Sequence, residues 1–307
     1  MRIVIFGVGA MGCLFGARLA PHADVTLMGR WPQQIAALAR APLRLIFPDG
    51  HEEHIALHVT ADVKAVAAAD VALILTKSGK TEEAARSAAQ VLKEEGIAVT
   101  LQNGLGNLEI IARHVGERRA ALGVTTQGAA LEGPGVLRYG GGGLTYLATR
   151  PPVDAPIRAL AALFNTAGFP TEVVEDVSTL AWGKLVINAA INPLAALLRV
   201  PNGALAESEW ARTLMAAAAR EAAAVAVAKG IALPFDDAAA HVAHIARLTA
   251  PNRSSMLQDV LRGAETEIEA ICGAVMREGE ALGVPTPTIA LLYRLVKALE
   301  ETAAQRL

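Results

Sequence analysis

Between Val177 and Leu198 the chain runs through 22 positions at which Lys184 alone is charged. Asn188 and Asn192 follow at four-residue intervals, so a helix there presents Lys184, Asn188 and Asn192 as one polar stripe on an otherwise apolar surface. Such a stripe needs partners, and two kinds are open. The lysine could snorkel from a domain surface while the asparagines bond a neighbouring loop. Alternatively, the cation and the two amides could face a polar ligand. Glu267 raises the same question, because Val260, Ala264, Glu267, Ile271 and Ala274 follow helical spacing and the carboxylate is the one polar member of that face. Glu265 and Glu269 fall on the opposite, solvated side of that helix. A carboxylate turned toward a core is costly unless paired, and a lysine in a shared cleft would pair it.

Near the N-terminus, Gly7-Val8-Gly9-Ala10-Met11-Gly12 follows a β-branched run and opens a helical pattern at Met11–Leu19, the context a dinucleotide-binding turn requires. Gly7 would allow the tight turn, Gly9 the approach of a pyrophosphate and Gly12 close packing of helix on strand. After the second strand the chain reads Gly29-Arg30, with no carboxylate to bind a ribose 2′-hydroxyl, which favours a 2′-phosphate and hence NADPH. A solvated loop arginine is the competing reading. Lys77 and Asn103 both follow strands, at the carboxyl edge where open α/β sheets bind ligands. Structural roles compete at both positions. Ser255 opens an S-x-x-Q pattern, which predicts a helix cap and also suits a carboxylate ligand.

The elements that would carry these residues fall into two blocks. Arg2–Phe6, Val25–Met28, Val71–Thr76, Ile97–Leu101 and Ala121–Thr125 read as strands separated by helices, which predicts a parallel sheet with helices on both faces. Leu43–Val59 looks like an inserted hairpin around Pro48-Asp49-Gly50, and Gly128–Ala148 like a second antiparallel patch. Helix Ala155–Ala167 and strand Thr171–Val174 would close the block. From Asp176 onward, Ala- and Leu-rich segments broken at Pro201, Pro234, Pro251 and Pro285 predict helices alone. The expectation is an α/β Rossmann-type domain over residues 1–175 and an all-α domain over 176–307.

The 307 residues are 53% hydrophobic and 4% aromatic with a net charge of −2, which gives no electrostatic reason to expect nucleic acid or an anionic membrane as partner. Cys13 and Cys272 stand far apart without metal-ligand spacing, so no metal site or disulfide framework is expected. A small molecule, and at most a second copy of the chain as in a homodimer, are the expected partners, in the cytoplasm.

Taken together, these residues resemble the ketopantoate reductase (2-dehydropantoate 2-reductase) family along nearly the whole chain. The markers are Gly7–Gly12, Asn103-Gly104, Gly183-Lys184-Leu185-Val186-Ile187-Asn188, Ile191-Asn192-Pro193-Leu194, Pro201-Asn202-Gly203, Ser254-Ser255-Met256-Leu257-Gln258-Asp259 and Thr266-Glu267-Ile268. The resemblance implies reduction of 2-dehydropantoate by NADPH, on the route to pantothenate and coenzyme A. It implies Lys184 as general acid and Glu267 as the group that orients it and holds the substrate hydroxyl. Asn103, Asn188, Asn192, Asn202 and Ser255 would bind substrate; the segment Gly7 to Gly12, Arg30, Lys77 and Asn103 would hold the cofactor. The chain departs from the family pattern at Glu269 and Cys272, where Asp and Asn are frequent. Another 2-oxo acid as substrate and a non-catalytic NADPH sensor are the alternatives, and a sensor needs neither Lys184 nor Glu267.

Overall fold

The structure is a computed structural model describing residues 1–305. It divides into two compact units, one formed by Met1–Gln102 with Asn107–Val177 and the other by Asn103–Gly106 with the residues from Ser178 onward.

The first unit opens with β1 (Arg2–Phe6), α1 (Ala10–Leu19), β2 (Asp24–Met28), α2 (Pro32–Arg40), β3 (Leu43–Ile46), β4 (Glu52–Ile55) and β5 (His58–Thr60). It continues with β6 (Ala69–Ile74), α3 (Thr81–Val91), β7 (Leu92–Thr100), α4 (Asn107–Val115) and β8 (Ala120–Thr125). Then come β9 (Ala129–Gly133), β10 (Val136–Tyr139), β11 (Thr145–Ala148), α5 (Asp154–Thr166) and β12 (Thr171–Val174). Eight strands form one sheet in the order β12-β11-β8-β7-β6-β1-β2-β5, parallel throughout except for the β8–β11 pair. Its strands are continuous apolar runs such as Ile3-Val4-Ile5-Phe6, as expected when helices cover both faces. The direction of winding reverses at β1, which lies between β2 and β6, and ligands of open α/β sheets bind at the carboxyl ends beside such a reversal.

The hairpin β3–β4 forms as expected, but the end of the proposed hairpin segment, β5, leaves it to lie parallel to β2 in the large sheet. The Gly128–Ala148 patch is likewise split: β9 and β10 pair antiparallel, while β11 joins the large sheet. A parallel β3–β10 pairing then unites hairpin and patch as a second sheet of order β4-β3-β10-β9. Leu43, Leu45, Leu131 and Leu137 from this small sheet share a core with Leu14, Phe15 and Leu19 of α1. That explains why seven of the ten residues of α1 are buried: the helix has apolar neighbours on two sides. Gln34 ties the layers together, donating from Nε2 to Cys13 Sγ at 3.1 Å and accepting at Oε1 from Gly135 N–H at 2.9 Å. Burial pushes the Cys13 thiol up to about 12, so it is an inert packing group.

The second unit contains α6 (Ser178–Leu198), α7 (Asn202–Glu207), α8 (Glu209–Ala228), α9 (Ala238–Leu248), α10 (Ser255–Leu261), α11 (Ala274–Leu282) and α12 (Pro287–Glu301). A π-helical turn, Glu269–Gly273, leads into α11. By length and composition α6 could cross a membrane, yet 67% of its apolar window is buried inside the protein, where Trp182, Leu185, Val186, Ala189 and Ile191 form the core of the unit. The continuous helical face expected from Val260 to Ala274 is not present. Gly263 adopts a left-handed conformation (φ +67°) just past α10, and residues 264–266 are irregular before the chain coils again at Ile268. Two successive helices happen to share one spacing.

The aromatic trio Phe15, Phe164 and Phe169 lies fully buried in the first unit, with Phe15 4.4 Å from Phe169 and 5.2 Å from Phe164 between ring centroids. Phe15→Ala should lower unfolding free energy by about 3–5 kcal/mol in urea titrations. A loss below about 1 kcal/mol would show that the trio is not tightly packed.

Candidate active site

Lys184 is carried nearly two turns into α6, half-buried, with Asn188 half-buried and Asn192 buried further along the same face. Burial lowers the lysine from its ordinary 10.5 to about 8, and the Glu267 carboxylate opposes that fall. Glu267 is 7% exposed and accepts from Asn103 Nδ2 at Oε2, 3.2 Å away. Lys184, Glu267 and Asn103 are thus brought together within the helical unit.

Backbone geometry explains how a loop residue that follows β7 comes to serve that unit. Leu105 N–H donates to Ala270 C=O at 3.0 Å, a carbonyl of the π-helical turn. Gly104 has φ +83°, and a Cβ there would lie 2.3 Å from the same carbonyl oxygen. The close approach needs glycine on both counts. Glu267 lies just before the π-helical turn, so one short stretch, 267–270, anchors both the side chain of Asn103 and the backbone of its loop.

Asn202 makes other contacts. Its N–H donates to Asn252 C=O and its Nδ2 to Thr249 Oγ1, each at 3.0 Å. Asn202 Oδ1 is buried and finds no donor among the described residues, an arrangement that ordinarily costs about 1–3 kcal/mol. Ser255 does not cap α10 as its S-x-x-Q pattern predicts. The cap is Ser254, whose hydroxyl accepts from Leu257 N–H at 3.1 Å, and Ser255 is the exposed first residue of the helix. Two adjacent serines offer two registers, and the buried one takes the bond.

Cys272 sits on the π-helical turn, against α6, and its position has a local cause. Pro193 inside α6 has no N–H to give to Ala189 C=O, and the Cys272 thiol approaches that carbonyl, Sγ to O 3.8 Å. Burial pushes this thiol far up, so it is a packing group and not a nucleophile.

In the first unit, the Gly7–Gly12 turn has the geometry of a phosphate cradle. Gly7 has φ +126° and a Cβ on it would meet Leu75 O at 2.7 Å; one on Gly12 would lie 1.9 Å from Gly7 O. Gly9, by contrast, faces open space with nothing within 4 Å, and α1 begins without a side-chain cap. An uncapped helix N-terminus behind an open glycine fits a dinucleotide pyrophosphate. Val8 is buried, and Ala10 and Met11 are half-buried in the first turn. Arg30 is 70% exposed beyond β2, its Nε 2.7 Å from Glu83 Oε1 of α3. β6 ends at Ile74, short of the expected Thr76, and Lys77 stands half-exposed before a short 3-10 turn. Gln102, which its type and spacing do not single out, knits this edge by donating to Thr76 C=O and Thr81 Oγ1 at 2.8 and 2.9 Å. Among the described residues no cluster of His, Cys, Asp and Glu could hold a metal.

With this geometry in view, residues 3–152 match the model of the family described as ketopantoate reductase PanE/ApbA, and residues 176–300 match that of its C-terminal domain. The 2-dehydropantoate 2-reductase of Halobacterium salinarum is 36% identical over 299 residues, covering 97% of this chain and 98% of the relative. The ketopantoate reductase structure from Ralstonia eutropha superposes with a TM-score of 0.90 at 33% identity, covering 99% of this chain and all of that one. A D-mandelate dehydrogenase bound to NADH and anilino(oxo)acetate superposes with a TM-score of 0.91 at 26% identity, over the same shares.

Since Glu267 raises the Lys184 pKa against the fall that burial causes, Glu267→Gln should move it below about 8 while keeping an oxygen for Asn103. Acetic anhydride labelling of Lys184 across a pH series, read by peptide mass spectrometry, measures this directly. An unchanged or raised pKa would show that the carboxylate does not act on the lysine.

Proposed function

Because the chain belongs to the ketopantoate reductase PanE/ApbA family of nicotinamide-dependent oxidoreductases, we propose that it reduces 2-dehydropantoate to pantoate with NADPH. The observation that carries the reading is Lys184, the one charged residue of α6, held beside the buried Glu267, with its pKa brought near 8. The family's place in pantothenate and coenzyme A biosynthesis goes with a cytoplasmic setting.

When bound, NADPH supplies hydride to C2 of the keto acid. The carbonyl π electrons pass to oxygen as that bond forms, and the Lys184 ammonium stabilises the growing charge and delivers a proton to it, giving the alcohol. A pKa near 8 suits a proton donor of this kind, because at pH 7 the lysine is still protonated yet gives up its proton more readily than an exposed lysine. Solvent returns the proton afterwards. Glu267 keeps the lysine charged and, with Asn103, orients it. Asn188, Asn192, Asn202 and Ser255 bind substrate polar groups in this reading. The lone Oδ1 acceptor of Asn202 is suited to a substrate hydroxyl. Gly7, Val8, Gly9, Ala10, Met11 and Gly12 cradle the pyrophosphate, and Arg30, Lys77 and Asn103 make the remaining cofactor contacts. Glu83 meets Arg30 at Nε, and the outer edge of the exposed guanidinium is suited to a 2′-phosphate.

A second reading keeps the mechanism and changes the substrate and cofactor, motivated by the likeness to a D-mandelate dehydrogenase solved with NADH. Oxidation of NADPH and of NADH with ketopantoate and a panel of other 2-oxo acids separates the two. A kcat/KM preference for ketopantoate under about tenfold, roughly 1.4 kcal/mol, would favour the second.

Arg30→Ala should weaken NADPH binding in fluorescence titrations and leave NADH nearly unaffected; equal losses would remove the 2′-phosphate assignment. Lys184→Ala should lower kcat by about 10² to 10⁴ with NADPH affinity retained. In the wild type, reduction should decline as pH rises through about 8, because the donor is then deprotonated. A folded Lys184→Ala protein with kcat within about threefold of wild type would refute the general-acid role.

A further inference from the structure

We propose that Glu300, on the last turn of α12, is a positioning residue that fixes the Glu267 carboxylate beside Lys184 through the backbone of Thr266. The proposal rests on the reading of Lys184 as proton donor.

Residues 264–266 belong to no helix or strand, so no regular backbone ladder holds the approach to Glu267. Ala264 N–H donates to Asp259 C=O at 2.9 Å, and side-chain bonds at Thr266 hold the remainder. Thr266 N–H donates to Glu300 Oε1 at 2.8 Å, and the Thr266 hydroxyl accepts from Ile268 N–H at 3.2 Å. Glu267 sits between these two anchored residues, its own carbonyl accepting from Ile271 N–H at 3.0 Å to start the next coil. An N–H bonded to a carboxylate is a charge-assisted contact, stronger than one to a neutral oxygen. The bond therefore sets the entry of the segment whose next side chain is Glu267.

Glu300 is itself held. Its other oxygen lies 3.2 Å from Lys297 Nζ, and its side chain is 20% exposed. Around the pair stand Glu269 of the π-helical turn with its partners Arg277 of α11 and Tyr293 of α12. The charge facing Lys184 is that of Glu267, so a displacement of Glu267 is read out at Lys184. Loss of the Glu300 oxygen would leave Thr266 N–H unsatisfied and its segment free to turn.

The test compares Glu300→Ala with Glu300→Gln, whose amide oxygen can still accept from Thr266 N–H. In Glu300→Ala, kcat for ketopantoate reduction should fall between about tenfold and 10²-fold, the scale of a small misplacement of reacting groups. NADPH affinity should be unchanged. The Lys184 pKa, followed by acetic anhydride labelling, should drop, taking the alkaline limb of the rate profile with it. Glu300→Gln should restore both to near wild type. A folded Glu300→Ala protein with wild-type Lys184 titration overturns the proposal, whatever its melting temperature. So does a Glu300→Gln protein as impaired as Glu300→Ala, since the charge and not the Thr266 bond would then matter. If Glu300→Ala fails to fold, Glu300→Asp, with its carboxylate withdrawn by one methylene, takes its place under the same criteria. Labelling needs no turnover, so a wild type that does not reduce ketopantoate would count against the proposed function while leaving this test intact.

Discussion

Burial disfavours the charge on an ammonium among packed helices and a carboxylate beside it favours that charge, and Lys184 and Glu267 meet in this way in the helical unit. Burial alone would carry the lysine toward neutrality, and Glu267 holds it back near 8. The balance depends on where one carboxylate sits. That carboxylate is reached by Asn103 from a loop outside the helices and is followed closely by a π-helical turn. The charge, the loop and the irregular coil are parts of one requirement.

The two helical segments that build the site are both irregular, and each irregularity is matched by a contact. In α6, Pro193 leaves Ala189 C=O without its usual helical donor, and the Cys272 thiol lies against it. In the π-helical turn, Ala270 C=O accepts from Leu105 N–H, which locks the Asn103 loop in place. Departures from the α-helical pattern thus link segments distant in sequence, in keeping with the frequent placement of π turns at functional sites. Cys272 is a packing contact beneath α6.

Local patterns in the sequence disclose most of what depends on local physics. The Gly7–Gly12 turn, the Lys184 stripe on α6 and the change from strands to helices near Asp176 each leave a signature within a dozen residues, and the structure shows each element. What stays hidden depends on distant pairing. The β3–β10 contact joins segments that separately read as a hairpin and an antiparallel patch, and no spacing within either announces the other. The Val260–Ala274 periodicity is real in residue type, but Gly263 divides it, and a glycine's positive φ is not written in hydrophobic spacing. Glu300 and Gln102 leave no mark in the local pattern because they act on backbone groups of remote loops. Serine at both 254 and 255 makes the cap ambiguous until burial chooses between them.

The small sheet has a consequence for how the first unit can be made. Its central pairing, β3 with β10, closes a loop of roughly ninety residues, a non-local contact of the kind that slows folding. Until β9 and β10 leave the ribosome, the side of α1 that meets Leu131 and Leu137 has nothing to cover it. A nascent chain ending before Ala129 would therefore hold most strands of the large sheet and yet leave that flank of α1 uncovered, the kind of surface on which chaperones act and aggregates start.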